Sequence, residues 1–189
     1  GGGAGQSERG WLYGCGGDAH LRGRVLKRDR EELVLARKGG RGGVQCDDGM
    51  KRVIDGRPEA IRRKCEDSLR RLQTDVIDLY YLHRWDKKVP IEDSVGAMSD
   101  LVRAGKVRAL GLSEVSAGTL RKAHAVHPIS AMQAEYSLWT RNPEIAVLQA
   151  CRELRVACVA SSPVSRGFLF EARHDAGTCD RKALAPTTP

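Results

Sequence analysis

Six polar residues of this chain stand at or just after the ends of short apolar segments, where a side chain can act on a ligand. Their ammonium and imidazole groups can hold or move a proton, and their hydroxyl, carboxylate and amide groups can orient a ligand by hydrogen bonds. Each residue alone also fits an ordinary role, as a solvated lysine, a structural histidine or a turn residue. The six are Lys38, His83, Ser113, Glu114, Gln133 and Ser162.

The apolar segments before these residues predict β-strands. The clearest runs from Val76 to His83, where β-branched, aromatic and aliphatic residues in succession are typical of a strand covered on both faces. Further strands are predicted to begin near Leu33, Val107, Ile129 and Val156.

Amphipathic segments between the strands predict helices. Apolar residues recur at helical spacing from Arg57 to Leu72 and from Ile91 to Ala104, and Ser116 is placed as the N-cap of a shorter helix. Asn142-Pro143 is predicted to open a fourth helix. Its predicted inward stripe is Ile145, Leu148, Cys151 and Leu154.

The strand-then-helix order predicts an α/β fold with parallel strands joined by right-handed crossovers. An open doubly wound sheet and a (β/α)8 TIM barrel both satisfy this order. A dinucleotide-binding open sheet should carry G-x-G-x-x-G after its first strand, and no such motif follows any strand here. The barrel is therefore favoured, and in a barrel the C-terminal strand ends meet at one mouth.

Composition is that of a globular domain, with 189 residues, 41% hydrophobic and 30% charged. No apolar stretch is long enough for a membrane span, and the glycine-rich start resembles no signal or transit peptide. The six cysteines form no CxxC pair and no zinc-like set, which indicates reduced thiols and a cytoplasmic protein with no metal. The net charge of +8 is spread over helix faces, so an anionic small ligand is favoured over nucleic acid. The sequence indicates no oligomeric state.

Several motifs resemble the aldo-keto reductases, and most closely their plant and microbial members described as auxin-induced or perakine-reductase-like. The resemblance covers about Tyr13 to Leu169 and is most specific from Leu69 to Trp139. The segments that carry it are RLQTDVIDLYYLH at 71–83, GKVRALGLS at 105–113, QAEYS at 133–137, Ser162-Pro163 and RGFL at 166–169.

The resemblance implies NADPH-dependent reduction of an aldehyde or ketone, with hydride from the cofactor and a proton from a Tyr. It maps the family's catalytic Asp, Tyr, Lys and His onto Glu8, Tyr13, Lys38 and His83. The implied roles are a proton donor at Tyr13, an ammonium at Lys38 that stabilises the phenolate, a carboxylate at Glu8 that holds the lysine, and an imidazole at His83 that orients the substrate oxygen. Gly39 stands where a Phe usually follows the lysine.

The same resemblance implies two groups of cofactor contacts. The nicotinamide carboxamide is expected at Ser113, Glu114 and Gln133. The pyrophosphate is expected along a main-chain turn after the seventh strand, where Val164-Ser165 replaces a Leu-Gly pair common in the relatives. The residues of this turn are Ser162, Pro163, Val164, Ser165 and Arg166.

The sequence predicts a barrel truncated at both ends, with roughly strands three to seven in a domain at 1–170 and a disordered tail at 171–189. The chain does not begin with Met, and no segment resembles the first strand, the eighth strand or the motif that clasps the adenosine 2′-phosphate. We therefore expect exposed sheet edges at the Leu33 and Val156 strands and weakened NADPH binding and activity. The alternatives are a non-catalytic cofactor- or partner-binding module, like the regulatory β subunits of potassium channels, or a fragment without function of its own.

Overall fold

The protein is built on a parallel β-sheet, and helices connect most of its successive strands. The computed structural model describes residues 5–8, 30, 33–46 and 49–165. The strands are β1 (Gly5–Glu8), β2 (Leu33–Gly39), β3 (Arg41–Cys46), β4 (Gly49–Ile54), β5 (Ile77–Leu82), β6 (Val107–Ser113), β7 (Ile129–Glu135) and β8 (Ala157–Ser161). The helices are α1 (Pro58–Leu72), α2 (Ile91–Arg103), α3 (Ala117–Val126) and α4 (Val147–Leu154), with a 3-10 turn at Asn142–Glu144 before α4.

The sheet has the order β1-β2-β5-β6-β7-β8, and every neighbouring pair is parallel. All five predicted strands and all four predicted helices are present. A helix follows each of β5, β6 and β7, and the resulting architecture is a partial (β/α)8 barrel. The predicted fold class is confirmed.

Strand β1 corrects the expectation that the Leu33 strand is an edge. Residues Gly5 to Glu8 pair in parallel with Leu33 to Ala36, so β2 has neighbours on both sides. The sequence Gly-Gln-Ser-Glu has no apolar alternation, and only its pairing with β2 reveals the strand. At the other side, β8 ends the described sheet, and its residues Ala157, Cys158 and Ala160 are exposed.

A β-hairpin between β2 and α1 was not predicted. Strands β3 and β4 pair in antiparallel register from Arg41 opposite Ile54 to Cys46 opposite Gly49. Their glycines and charged residues give no clear apolar alternation. The run Asp47-Asp48-Gly49 is a signal that could have indicated a turn here, because Asp and Gly are favoured in turns.

The main core lies between the sheet and the helices. Tyr80, Leu110 and Met132 from the strands are fully buried there, together with Ile61 of α1 and Leu120 of α3. The opposite, inner face of the sheet has a smaller cluster of Ala36, Tyr81 and Ala131, with Leu79 and Val159 packed against it. This alternation of side chains between two faces places every second strand residue toward the barrel interior.

The predicted inward stripe of the fourth helix is wrong at Ile145. Ile145 is 84% exposed, and the buried residues of this helix are Ala150 and Cys151. The 3-10 turn ends before Ile145 and the α-helix begins only at Val147, so the helical phase used for the prediction does not extend to Ile145. In the described part of the chain, no helix is long and apolar enough to cross a membrane.

Asp78 ties together the N-terminal ends of three strands. Its Oδ2 accepts hydrogen bonds from the Arg30 guanidinium (2.7 Å) and from the backbone N–H of Leu35 (2.8 Å), and its Oδ1 accepts one from Arg108 (2.8 Å). Burial favours the neutral acid, but these hydrogen bonds and the charges of the two arginines outweigh it and lower the pKa of the Asp78 carboxyl. The carboxylate therefore fixes β2, β5 and β6 relative to one another.

Candidate active site at the C-terminal ends of the strands

Lys38 and Gln133 meet on the inner face of the sheet. The ammonium of Lys38 donates a hydrogen bond to Oε1 of Gln133, and it lies over the ring of Tyr81, 5.8 Å from the ring centroid. Gln133 is only 6% exposed and Lys38 is partly buried. Because an ammonium has donors only, it fixes which end of the Gln133 amide faces it.

The curvature of the sheet makes this contact possible. Strand β2 is separated from β7 by β5 and β6, so three steps of about 4.8 Å, on the order of 14 Å in all, lie between the two backbones along the sheet. Gly111 on β6, between these two strands, leaves room for the Tyr81 ring, since a Cβ on Gly111 would stand 2.4 Å from a ring atom. The inner surface is therefore concave and has space for two long side chains to converge.

His83 lies at the end of β5, next to the end of β2. Its backbone N–H donates to the carbonyl of Gly39 at 2.9 Å, which extends the pairing of the two strands by one step. The side chain of His83 is half-buried. Lys38 and His83 therefore occupy the C-terminal ends of adjacent strands, as predicted for the mouth of a barrel.

Gly39 has a packing role that the sequence did not indicate. A Cβ at this position would stand 2.0 Å from Oη and 2.6 Å from Cζ of Tyr80. Tyr80 is fully buried, and its hydroxyl lies 3.4 Å from the carbonyl oxygen of Ile61 in α1. The residue after the predicted catalytic lysine is thus a glycine because the Tyr80 ring fills the space where a side chain would stand.

Ser113 ends β6 beside Gln133, and Glu114 directly follows the strand. Ser113 is 4% exposed and pairs in register with Gln133. Glu114 has a φ of 56°, in the left-handed region, and its N–H donates to the carbonyl of Gln133 at 2.9 Å. The carboxylate of Glu114 accepts a hydrogen bond from the N–H of Glu135 (2.7 Å) and lies 3.8 Å from the Arg84 guanidinium. Arg84 and Glu135 thus contact Glu114 at the candidate site, and the sequence did not indicate them, although Arg84 directly follows His83.

A tight turn follows β8 at Ser162 to Ser165. The N–H of Ser165 donates to the carbonyl of Ser162 at 2.8 Å, and both residues have positive φ, 51° at Ser162 and 49° at Ser165. Ser165 stands where the resemblance expects a glycine, and this is a conformation that glycine adopts without strain. Pro163 and Val164 between them are exposed.

The loop after β7 is held against this turn. The hydroxyls of Ser137 and Ser165 are 2.8 Å apart, and Ser137 Oγ also accepts from the N–H of Thr140. Tyr136 donates its hydroxyl to Glu144, which raises the pKa of the Tyr136 phenol. The same carboxylate accepts two hydrogen bonds from Arg141. These contacts give the loop a fixed shape, in which Leu138 and Trp139 are exposed.

Of the predicted site residues, the structure describes Glu8 by its strand pairing alone and does not describe Tyr13 and Arg166. Glu8 ends β1 and pairs in register with Ala36, two residues before Lys38. Tyr13 and Arg166 lie outside the described residues, as does the predicted tail at 171–189. Among the described residues, no group of three His, Cys, Asp or Glu side chains is arranged to hold a metal ion.

Comparison with known proteins identifies the family. The sequence model of the aldo/keto reductase family matches residues 8–187. The chain belongs to the aldo/keto reductase family. The match includes most of the segment that the sequence analysis set apart as a tail.

Individual relatives agree with this assignment. The chain is 48% identical over 158 residues to a probable aldo-keto reductase 1 of Glycine max, a match that covers 83% of this chain and 45% of the relative. Among solved structures it is similar to the glycerol dehydrogenase of Gluconobacter oxydans, with a TM-score of 0.83, 30% identity and coverage of 94% of this chain and 55% of the other. An aldo-keto reductase of Bacillus halodurans in its holo form gives a TM-score of 0.78 and 32% identity, covering 89% of this chain and 55% of the other.

An aldo/keto reductase of Klebsiella pneumoniae, solved in complex with NADP and acetate, is also similar, with a TM-score of 0.67 and 28% identity. That match covers 85% of this chain and 53% of the other. The chain spans about half the length of the relatives it matches. The family and the fold of the chain are thus established.

Proposed function

We propose that this protein reduces an aldehyde or ketone to an alcohol with NADPH, with Tyr13 as the proton donor. The observation that supports the proposal best is the meeting of Lys38 and Gln133 on the inner face, beside the ends of the strands that carry His83 and Ser113. A reductase needs an acid, a charge that tunes that acid, and donors that fix the cofactor, all at one place. The family's Klebsiella pneumoniae member is known with NADP bound.

Each proposed catalytic side chain has a physical task. A free Tyr has a pKa near 10, and a nearby ammonium favours the phenolate, so Lys38 would lower the pKa of Tyr13 and ease the return of its proton. His83 would donate a hydrogen bond to the substrate oxygen as negative charge develops there. Glu8 would keep Lys38 charged. The cofactor, when bound, supplies the hydride.

The residues at the mouth fit a nicotinamide. Ser113 and Gln133 are buried polar side chains in register on neighbouring strands, which is where an amide group can be held away from water. Lys38 faces Oε1 of Gln133, so the Nε2 donors lie on the side of the amide directed away from Lys38. An amide N–H is the type of donor that the oxygen of a carboxamide accepts.

The fit of the turn to a pyrophosphate is less complete. Pro163 has no N–H, and the N–H of Ser165 already donates to Ser162. The contacts proposed for the phosphates are therefore the hydroxyls of Ser162 and Ser165, the N–H of Val164 and the side chain of Arg166. The proposed substrate is a small carbonyl compound, with no role for nucleic acid or membrane, and the proposed location is the cytoplasm.

The experiment is a titration of the purified chain with NADPH, followed by cofactor fluorescence, and then an absorbance assay with a panel of aldehydes and ketones. Binding with turnover, lost in Tyr13→Phe, is the expected result. Binding without turnover would indicate a cofactor-binding module instead. Absence of binding at millimolar NADPH would remove the enzymatic proposal for this chain, and turnover that persists in Tyr13→Phe would refute the assignment of the acid.

A further inference from the structure

Glu114 is held in an unusual backbone conformation at the centre of the mouth. Its φ of 56° lies in the region that glycine and asparagine tolerate and that other residues adopt only when their surroundings hold them. The N–H of Glu114 donates to the carbonyl of Gln133 at 2.9 Å. The contacts that Glu114 makes must therefore offset the free-energy cost of this conformation.

The carboxylate of Glu114 connects the two neighbouring strand ends. Oε1 accepts a hydrogen bond from the N–H of Glu135 at 2.7 Å. Together with the bond from its own N–H to Gln133, Glu114 is therefore bonded to β7 on both sides of Ala134. Oε2 lies 3.8 Å from Nη1 of Arg84, the residue after His83. We call Arg84, Glu114 and Glu135 the rim bridge.

The rim bridge joins the ends of the strands that carry His83 and Gln133, two residues proposed to touch the substrate and the nicotinamide. On the proposed function, these two groups must keep a fixed separation, because misplacement by about 1 Å of a reacting group can cost on the order of 10²-fold in rate. Both carboxylate oxygens of Glu114 face partners within the protein, Oε1 the N–H of Glu135 and Oε2 the guanidinium of Arg84.

We infer that Glu114 is a positioning residue, which sets the place of Gln133 through its two hydrogen bonds to β7 rather than by contact with the cofactor, and the ion pair with Arg84 adds a smaller contribution on the side of His83. The expected effect on NADPH binding rests on the proposed function, whereas the rim bridge itself rests on the hydrogen bond to Glu135. NADPH affinity and exchange of the Glu135 amide hydrogen can be measured separately.

The test uses three variants of the full chain. Glu114→Gly removes the side chain and suits the positive φ, so the fold is kept. Glu114→Gln keeps an oxygen that can accept from Glu135 but removes the charge that faces Arg84. Glu153→Gln is the matched control, because Glu153 forms an ion pair with Arg121 on the helices, away from the strand ends. Each variant is titrated with NADPH, and exchange of the Glu135 amide hydrogen is followed by NMR.

In Glu114→Gly we expect the Glu135 amide to exchange faster and the dissociation constant of NADPH to rise about 10-fold, as for the loss of one hydrogen bond to a charged group. Glu114→Gln should recover most of both, within about 3-fold of wild type, since exposed ion pairs contribute little. Glu153→Gln should change neither.

Four outcomes would overturn the inference. If Glu114→Gly exchanged the Glu135 amide hydrogen faster but bound NADPH as wild type does, the rim bridge would have only a structural role. If exchange were also unchanged, the hydrogen bond from Glu135 to Glu114 would not form. Equal loss of NADPH affinity in Glu114→Gln and Glu114→Gly, with the Glu135 amide still protected in Glu114→Gln, would show that the hydrogen bonds to β7 do not set the cofactor site. If the Glu135 amide hydrogen exchanged slowly in wild type but the chain bound no NADPH, the proposed function would be refuted. The rim bridge would then form, but it would position no cofactor-binding residue.

Discussion

The ammonium of Lys38 and the amide of Gln133 are joined by a hydrogen bond although 95 residues and two intervening strands separate them. One residue is proposed to tune the catalytic acid, and the other is proposed to hold the nicotinamide. A shared hydrogen bond makes them one unit, because a change at either side chain alters the surroundings of the other. Their effects on cofactor binding should therefore not be independent.

A double-mutant cycle tests this coupling. We expect Lys38→Met and Gln133→Leu each to weaken NADPH binding, and the double variant to lose less than the sum of the two, with a coupling of about 1 kcal/mol or more. Cofactor fluorescence gives the dissociation constants without any need for turnover. Lys122→Met, a change of an exposed lysine on α3, is the control for loss of a positive charge. Strictly additive losses would show that the two side chains act separately.

Gly39 should not tolerate a side chain. In Gly39→Ala the new Cβ meets the buried Tyr80 ring and hydroxyl, and overpacking of this kind costs about 2–3 kcal/mol of unfolding free energy. In a Tyr80→Phe background the nearest atom is gone, so the cost should fall by about 1 kcal/mol. Urea unfolding measures both.

Gly96 gives the matched control for that substitution. It lies inside α2, and a Cβ there would meet no atom within 4 Å. Gly96→Ala should therefore raise the unfolding free energy by about 0.5–1 kcal/mol, because alanine restricts the unfolded chain and favours helix. Equal effects at positions 39 and 96 would contradict the proposed packing of Tyr80.

Asp78→Asn should destabilise the sheet at neutral pH. The carboxylate is 11% exposed and accepts three hydrogen bonds, so loss of its charge should cost about 2 kcal/mol. Because the folded protein lowers the pKa of Asp78, its contribution is present above the ordinary carboxyl pKa near 4 and is lost as the pH falls through the lowered value.

Urea unfolding of wild type and Asp78→Asn at several pH values checks this prediction. The difference in unfolding free energy should be greatest near neutrality and should shrink in acid. Asp100→Asn, a change in an exposed pair with Arg62, should have little effect at any pH. A difference at Asp78 that did not depend on pH would show that its charge is not the stabilising feature.

Ser165 allows the strain of the turn after β8 to be measured. Ser165→Ala loses the hydrogen bond to Ser137 and keeps the positive φ, whereas Ser165→Gly loses the same bond and relieves the strain. The glycine variant should therefore be more stable than the alanine variant by about 1 kcal/mol. Thermal unfolding of the two variants gives the comparison, and equal stability would mean that Ser165 is not strained.

Native thiol chemistry should distinguish Cys65, Cys151 and Cys158. Burial raises the pKa of Cys65 to about 12 and that of Cys151 to about 11, and both thiols are buried. Cys158 on β8 is exposed. An alkylating reagent at pH 7 should modify Cys158 before Cys65 and Cys151, which should react only on unfolding, as peptide mass mapping would show. Prompt modification of Cys65 in the native protein would contradict its burial against the sheet.

Local sequence patterns were sufficient to predict most elements and several site positions. Continuous apolar runs predicted strand β5 and the strand ends at His83 and Ser113. Helical spacing of apolar residues predicted α1 and α2. Both patterns are informative because burial of side chains repeats with the period of each element. Ser116 was predicted as an N-cap, and its hydroxyl accepts the N–H of Thr119. The same method failed at Ile145, where a 3-10 turn interrupts the period.

The sequence by itself determined the alternation of strands and helices, the family, and the placement of Lys38, His83 and Gln133 at strand ends, since each depends on residues that are neighbours along the chain. Only the tertiary structure decided that Lys38 reaches Gln133, that Tyr80 needs a glycine at position 39, and that Glu114 links Arg84 to Glu135. These contacts depend on the curvature and register of a sheet built from distant segments. Curvature and register arise from the packing of all strands together, and no single segment encodes them.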